Sequence, residues 1–422
     1  MLYDGNSTDV IIIGAGISGL AAAKVLKKHN VQYVILDASH RKGGRAYSEQ
    51  LSSNNWFDLG CSYLHNGKIN PFVDIASALN FPLNIKAGNL FYPDQTRYFS
   101  NGKKLDFSIS NPLDKNHSDL LRKISDKKSD EAIADFMNID DPYFPISCHL
   151  SSSLNAADVD LVSAKDYLSS YYDGPDYPVP GGFGNLVEAW SSDIKVMLNT
   201  KVSRIKWGGP LVELKTSQGP LFAKKIIITV STGILANNDI EMVPQLPAEK
   251  QSAISTLPMG TLNKIGVSFK KQLFSEQERG WYITWPGKKY ITDQEVGSFE
   301  VSSSGLQNVV VFSGGRFGEW LEERGPKVMQ DYAISKIESV LGSQCSKNIE
   351  SVITTAWASE PLTKGAYSYA TPNNSLAREE LAKNIEKKLF FAGEATIPKH
   401  FGTAHGAYFS GINASKEIIT CS

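Results

Sequence analysis

The sequence predicts an α/β fold (α+β overall), a parallel sheet flanked by helices joined to a second region of mixed sheet and helices. Three observations carry this. The run Val10-Ile-Ile-Ile13 is unbroken and apolar, as in a parallel strand buried on both faces. It leads into Gly14-Ala-Gly16-Ile-Ser18-Gly19 and an apolar helical stretch reaching about Lys28. A second apolar run, Tyr33-Val-Ile-Leu36, then ends in Asp37.

Strand, glycine turn, helix, strand and acid, in that order, describe a Rossmann-like dinucleotide-binding unit. Gly14 permits the tight turn, Gly16 lets a pyrophosphate approach the backbone, and Gly19 lets the helix lie close on the strand. The helix then points its positive end at the phosphates, with Ser18 in its first turn. Asp37 stands near the spacing of about 20 residues at which an acid holds a ribose hydroxyl pair, and Ala38 follows it. The motif specifies an adenine dinucleotide and leaves open which one.

The 422 residues allow two or three domains, with 41% hydrophobic and 21% charged residues as in an ordinary globular protein. A formal net charge of −1 supplies no overall field to recruit nucleic acid or an anionic membrane. Cys61, Cys148, Cys345 and Cys421 are scattered without a C-x-x-C spacing, so no metal site is expected and a reducing, cytoplasmic setting is favoured. The stretch Met1 to Asp9 lacks the pattern of a secretory leader, and no apolar run reaches the length of a membrane span. Oligomeric state has no signature.

Further along, Ser39-His-Arg41-Lys-Gly43-Gly44-Arg45 suits a loop passing close to phosphates, with backbone N–H groups and guanidinium forks to neutralise them. Trp56-Phe-Asp58-Leu-Gly60-Cys61-Ser62-Tyr-Leu-His65 follows; a lone histidine such as His65 is more often structural than catalytic. Asn70 to Leu79 has helical period, and Ala87 to Leu105 reads as short strands with turns at Tyr92-Pro93-Asp94 and Asn101-Gly102. From Asn111 to about Leu168 the text is charged and amphipathic, with helix-like segments at Asp119–Ile124 and Ser129–Met137, a helical insertion over a ligand site. An aromatic, proline-rich loop from Tyr171 to Gly182 returns the chain to a helix at Asn185–Ser192. Strands are expected at Ile194–Leu198, Val202–Trp207, Leu211–Thr216 and Lys224–Val230, with a turn at Ser231. In the strand Leu262–Lys270, Lys264 requires a partner or a wet cavity, or else an exposed edge where it blunts pairing. Glu319 to Leu341 is helical, Leu389 to Ala395 is a buried strand ending in Gly393-Glu394, and Gly402-Thr403-Ala404 opens a last helix.

Together these segments resemble the flavin-containing amine oxidase family of monoamine oxidases, polyamine oxidases and flavin-dependent histone demethylases. The carriers are Gly14–Gly19 with Asp37, Gly43-Gly-Arg45, Asp58-Leu-Gly60, Ser231-Thr-Gly-Ile-Leu235, Leu262-Asn-Lys264, Gly365-Ala-Tyr367, Phe391-Ala-Gly-Glu394 and Thr403–Gly411. They span nearly the whole chain, and polyamine oxidases are nearest in motif. The resemblance makes the dinucleotide FAD, held in a discontinuous domain of residues 1–80, 182–260 and 366–422. It assigns 81–181 and 261–365 to substrate binding, with the helical insertion at about 111–168. It implies that Asp37 holds ribose, that Gly43, Gly44 and Arg45 form a second phosphate and flavin loop, and that Gly60, Cys61 and Ser62 also meet the cofactor. It places the backbone of Val202 at the adenine, Gly393 and Glu394 on the ribityl–pyrophosphate side, and Thr403 and Ala404 near the flavin ring.

It further implies that Lys264 holds a water against flavin N5, that Tyr367 is one wall of the amine site, and that His65 lies on the substrate. Thr403 stands where monoamine oxidases have a second tyrosine, and Trp357 is a candidate for the missing wall. Ala366 replaces the cysteine that monoamine oxidases join to the flavin, so FAD should be non-covalent. The implied reaction passes a hydride from a small-molecule amine to the flavin, with O2 as acceptor and H2O2 as product. An L-amino-acid oxidase or desaturase-like flavoenzyme is the alternative. The former needs an arginine for the substrate carboxylate, with Arg122 and Arg316 as candidates. A third alternative, a flavin-binding interaction module without turnover, is disfavoured by Lys264 and Tyr367.

Overall fold

The computed structural model describes residues 7–52, 55–85, 95–107, 111–172, 174–271, 273–288, 291–302 and 307–421. The turn expected at Tyr92-Pro93-Asp94 lies outside them.

The first strand, Thr8–Ile13, lies inside a seven-stranded sheet between Tyr33–Leu36 and Gly219–Ile228, parallel to both. Its alternate residues feed two separate cores. Ile11 and Ile13 face one with Ile226 and Ile228; Val10 and Ile12 face the other with Leu20, Leu26 and Ile227. An unbroken apolar run is what such a two-sided strand requires. Leu389–Phe391 adds a further parallel strand beside the second half of Gly219–Ile228. The sheet continues antiparallel through Val212–Thr216 and Val202–Lys206, then parallel to Glu241–Val243.

The first helix, Ile17–Lys28, packs along the last, Ala404–Thr420. Gly411 makes this approach possible, since a Cβ there would stand 2.0 Å from the Ser18 carbonyl oxygen. Ser415 Oγ donates to Ala22 O at 3.3 Å, and the Ser18 and Ser410 hydroxyls meet at 3.2 Å.

The second seven-stranded sheet runs Ile349–Thr354, Leu262–Phe269, Asn308–Gly314, Gly297–Val301, Gly280–Trp285, Thr96–Ser100 and Lys103–Leu105. One face carries Ile265, Val267, Phe299, Val309 and Val311, under the apolar sides of helices Gly315–Arg324 and Pro326–Leu341. The other carries Lys264, Phe312 and Ser298 opposite one another across three strands. That face meets Phe57: a Cβ on Gly266 would lie 2.7 Å from its ring.

Several elements differ from the sequence expectation. Ile194–Leu198 forms no strand; Met197 makes one bridge to Leu36 before the chain turns away. Glu319–Leu341 is divided, because Gly325 (φ +88°) and Pro326 end one helix and start the next. Ser129–Met137 holds only a short 3₁₀ turn, Ile133–Phe136. There the Ile133 and Ala134 N–H groups go to Val162 and Val159 carbonyls rather than to a helical ladder. The insertion's helices, Pro112–Asp126, Phe144–Asn155 and Ala164–Ser170, are present; Leu120, Ile124, Ile133, Val162 and Tyr167 share a small core. Among the described residues no helix is long and apolar enough to cross a membrane, and no group of three His, Cys, Asp or Glu side chains could hold a metal.

Candidate active site

The glycine turn is sterically specified. Gly14 has φ +105°, and a Cβ there would lie 2.4 Å from Thr229 Oγ1. A Cβ on Gly19 would lie 2.0 Å from Gly14 O. Gly16 differs: a Cβ there would meet only Gly44 Cα, at an ordinary contact distance of 4.0 Å. Gly43 N–H donates to Ala15 O at 2.8 Å, which brings the Gly43-Gly44-Arg45 loop against the turn. The helix starts at Ile17 with no side-chain cap on its first-turn N–H groups, Ser18 among them.

Asp37 ends its strand beside the turn and accepts from Ala15 N at 2.6 Å and Ser39 N at 2.8 Å; Ala38 lies between those contacts. Burial pushes its carboxyl above the ordinary range, against the pull of these bonds. Thr200 N–H donates to Asp37 O at 2.8 Å, which brings the segment leading to Val202 alongside. A bare glycine cradle, an uncapped helix N-terminus, an acid and nearby Arg45 fit the phosphates and ribose of a dinucleotide.

A buried charge network stands behind this cradle. Arg45 Nη1 donates to Glu394 Oε1 at 3.0 Å and to Ala366 O at 2.8 Å. Glu394 also accepts from Ser368 N, Ser368 Oγ and Gly402 N at 2.8–3.1 Å. Burial raises its carboxyl, but Arg45, Arg378 and these bonds outweigh it and hold the group below its usual range. Gly393, with φ +134°, turns the chain into Glu394 and donates its N–H to Ser410 Oγ. Arg378 is completely buried. It forms a two-pronged pair with Asp166 at 2.8 Å on each side, donates to Ser368 Oγ, and stacks on Phe401 with its guanidinium carbon 3.6 Å from the ring centre. Neither Arg378 nor Asp166 was expected from the sequence. Ala377-Arg-Glu-Glu reads as an exposed helical face, and the partner is remote in the chain.

Lys264 is interior. Its strand lies between two others, so the exposed-edge alternative does not hold. Its Nζ donates to Asp58 O at 2.7 Å and also meets Gly60 O and Ser62 Oγ. Three acceptors take all three ammonium protons, so a water bound to Nζ must replace one of them. Burial pushes Lys264 down to about 8, with Asp58 opposing. The Asp58 carboxylate accepts from Ser48 Oγ and from Phe183 N–H at 2.8 Å, at the start of helix Phe183–Trp190. Burial lifts it to about 6, with Lys264 the largest opposing influence. Gly60 admits the Arg45 carbonyl, which a Cβ would meet at 1.7 Å; the same carbonyl accepts from Cys61 N–H. Burial pushes the Cys61 thiol up.

Tyr367 donates its hydroxyl to Leu154 O at 2.7 Å, and its ring lies 3.1 Å from where a Gly402 Cβ would be. Gly402 has φ +66° and leads into Thr403, whose hydroxyl accepts from Gly406 N–H and so caps the last helix ahead of Ala404. Trp357 is nearly buried; its indole N–H donates to Leu59 O at 2.8 Å and its ring lies against Gly60. Trp357 is thus anchored to Leu59, beside Gly60, and Tyr367 to the end of helix Phe144–Asn155. His65 Nδ1 lies 3.1 Å from Asp176 Oδ2 and 2.9 Å from Tyr172 Oη. Burial raises Asp176, but His65 and the bonds it accepts leave it below its usual range. His405, in the first turn after Thr403, is 1% exposed with no hydrogen-bond partner on either ring nitrogen. Burial, with His65 and His400 nearby, pushes it down to about 3. Asp176, Tyr172 and His405 were also unassigned from the sequence, although His405 sits inside the Thr403–Gly411 motif.

The arginines considered for a substrate carboxylate are both exposed and already paired. Arg316 holds Asp158 and Asp160 at 2.8 Å, and Arg122 lies 3.2 Å from Asp119.

A family model described as flavin containing amine oxidoreductase matches residues 150–419, and one described as an NAD(P)-binding Rossmann-like domain matches residues 12–76. Lysine-specific histone demethylase 1 homolog 2 of Arabidopsis thaliana is 27% identical across 99% of this chain; the match spans 59% of that protein's length. Polyamine oxidase 4 of Oryza sativa subsp. japonica is 27% identical, with 97% of this chain and 88% of its own covered. Among solved structures, cyclohexylamine oxidase from Brevibacterium oxydans IH-35A superposes with a TM-score of 0.80 at 20% identity, over 99% of both chains. A redesigned putrescine oxidase does so at 0.78 and 16%, over 98% of this chain and 99% of the other. At these identities the structural likeness is one of fold.

Proposed function

Because this chain belongs to the flavin-containing amine oxidoreductase family, with FAD as its cofactor, we propose that it oxidises the C–N bond of a primary or secondary amine. The observation that carries this reading is Lys264, a lysine buried inside the second seven-stranded sheet and tied to the Asp58–Ser62 segment. Overall, a secondary amine, O2 and water would give an aldehyde, a smaller amine and H2O2. FAD, when bound, supplies the two-electron acceptor for the C–H hydride.

The chain's own residues would bind, orient and manage protons. Gly14, Gly16, Ser18 and Gly19 would hold pyrophosphate through backbone N–H groups, Asp37 and Ala38 a ribose, and Val202 the adenine. Gly43, Gly44, Arg45, Gly60, Cys61, Ser62, Gly393, Glu394, Thr403 and Ala404 would line the remainder of the cofactor. Tyr367 and Trp357 would wall the amine. Lys264 Nζ, displaced from its ordinary range by burial, would hold a water in place of Ser62 and exchange a proton with it. His65, oriented by Asp176 and Tyr172, would hold a proton near the leaving nitrogen.

Ala366 offers no thiol to the cofactor, so acid precipitation should release FAD into the supernatant. A pellet that stays yellow would contradict this. A second reading is oxidation of a methylated lysine in a peptide, favoured by the similarity to lysine-specific histone demethylase homologs. Peroxide release by the purified yellow protein tests both: spermine, spermidine, simple monoamines, L-amino acids and a methyl-lysine peptide are compared. Release with the free amines is expected. Release with L-amino acids alone, or with none of the panel, would sink the proposal.

A further inference from the structure

The helix Phe183–Trp190 begins without a capping side chain of its own, because its N-cap is Gly182, at φ +84°. Its first N–H groups go instead to an acid far back in the chain. Asp58 Oδ1 accepts from Phe183 N at 2.8 Å and from Gly184 N at 3.4 Å, and Ser48 Oγ donates to the same oxygen. Ser48 stands opposite Asp58 across the hairpin of Ser48–Ser52 and Asn55–Asp58. A carboxylate at a helix start is favoured twice, by the orphan N–H groups and by the positive end of the helix dipole. The same helix leans on the cofactor loop, with Val187 4.0 Å from where a Gly43 Cβ would be.

The backbone of Asp58 serves Lys264. Its carbonyl accepts from Lys264 Nζ at 2.7 Å. Carbonyl and carboxylate belong to one residue, so the negative charge stands close to a lysine that is only 6% exposed. Little water screens the attraction there. Among the described residues, the other titratable groups facing this pair are Cys61 and Arg45, together with Glu300, which lines one small cavity with Asp58 and Ser62.

We propose that Asp58 is a positioning residue for amine oxidation: its ionised carboxylate, fixed by the start of helix Phe183–Trp190, holds the carbonyl that seats Lys264 Nζ and keeps that lysine charged. It acts through Lys264 alone. Without its charge, burial acts on the lysine unopposed, and the neutral form is reached at lower pH. The link to oxidation rests on the amine-oxidation reading, while the coupling of the two side chains does not depend on turnover.

Asp58→Asn isolates the charge, because asparagine caps a helix about as well as aspartate. The purified FAD-loaded protein is titrated with pH while its visible flavin absorption is followed. Wild type should show a step near 8, where Lys264 loses its proton, and Lys264→Met should lack it. In Asp58→Asn the step should fall by about 1 pH unit or more, the effect of removing an opposite charge at close range, and the rising limb of the oxidation rate should fall with it. Asp58→Ser, a second neutral cap, should repeat this. Asp58→Glu keeps the charge and should hold the step closer to wild type than either. A step left in place in the neutral variants, with only the unfolding temperature lowered, would make Asp58 a helix cap and overturn the proposal. Absence of the step in wild type, or failure of both neutral variants to fold, would overturn it too. If the step moves as expected but no amine is oxidised, the Asp58–Lys264 coupling stands and the oxidation reading falls. If amines are oxidised and the step does not move, the coupling alone falls.

Discussion

Lys264→Met should keep its FAD and lose amine oxidation by about 100-fold or more, the scale on which a positioned proton-transfer group acts. Met is close to Lys in length and apolar, so the strand Leu262–Phe269 keeps its packing. What disappears is the amine that bridges Asp58 O, Gly60 O and Ser62 Oγ. A pH profile makes the argument sharper. The folded Lys264 titrates near 8, below its ordinary value, because burial disfavours the cation. If its neutral form accepts the proton, oxidation should rise with pH through about 8 in wild type, and that limb should vanish in Lys264→Met. Asp58 is protonated as pH falls through about 6, so both charges coexist only between these values. Removing the lysine removes the largest opposing influence on Asp58, whose carboxyl should then titrate higher still. Wild-type rates for peroxide release and an unchanged pH limb in Lys264→Met would remove the lysine from the chemistry.

Arg378→Met should destabilise the protein by about 3–5 kcal/mol, the usual penalty for stranding one member of a buried ion pair. Arg378 and Asp166 are both inaccessible to water, and their two-pronged contact ties the insertion helix Ala164–Ser170 to the segment carrying Glu394. Loss of the guanidinium leaves the Asp166 carboxylate with the Ala370 N–H as donor, removes a cation that helps keep Glu394 ionised, and uncovers Phe401. FAD should be held less tightly as a consequence, since Glu394 also fixes Arg45 and Gly402 N–H. Replacing both partners, as in Arg378→Met with Asp166→Leu, should cost less than the single change, because no buried charge is then left over. Urea unfolding followed by flavin fluorescence and circular dichroism reads both effects. A single variant within about 1 kcal/mol of wild type would show that the pair carries no structural weight.

These two residues also mark how far the sequence was legible. The glycine turn, Asp37 and the apolar strands could be read because their signals are local: glycine spacing, an unbroken apolar run, an acid at a fixed offset. The crowding at Gly14 and Gly19 is what a tight turn and a closely packed helix require. The failures were local too. Ile194–Leu198 has the composition of a strand but only Met197 bridges a neighbour, while Gly325-Pro326 divides a stretch whose helical period continues across it. Lys264 was ambiguous because its partners are two backbone carbonyls and a hydroxyl more than 200 positions away, and carbonyls have no residue signature. Arg378 sits in a string of charged residues that looks solvent-facing, and nothing local says that Asp166 is waiting for it. Glu300 follows the same alternation an exposed strand face would show, so only the second sheet's packing reveals it as interior.

An amine should deliver its electrons to FAD held by the Gly14–Gly19 turn with Lys264 at its reactive end. Mixing the purified yellow protein with spermidine in the absence of O2 tests it most directly. The visible flavin absorbance should bleach and return when air is admitted, with H2O2 released. Absorbance that stays unchanged with spermidine, with monoamines and with a methyl-lysine peptide, in protein that demonstrably holds FAD, would contradict the account.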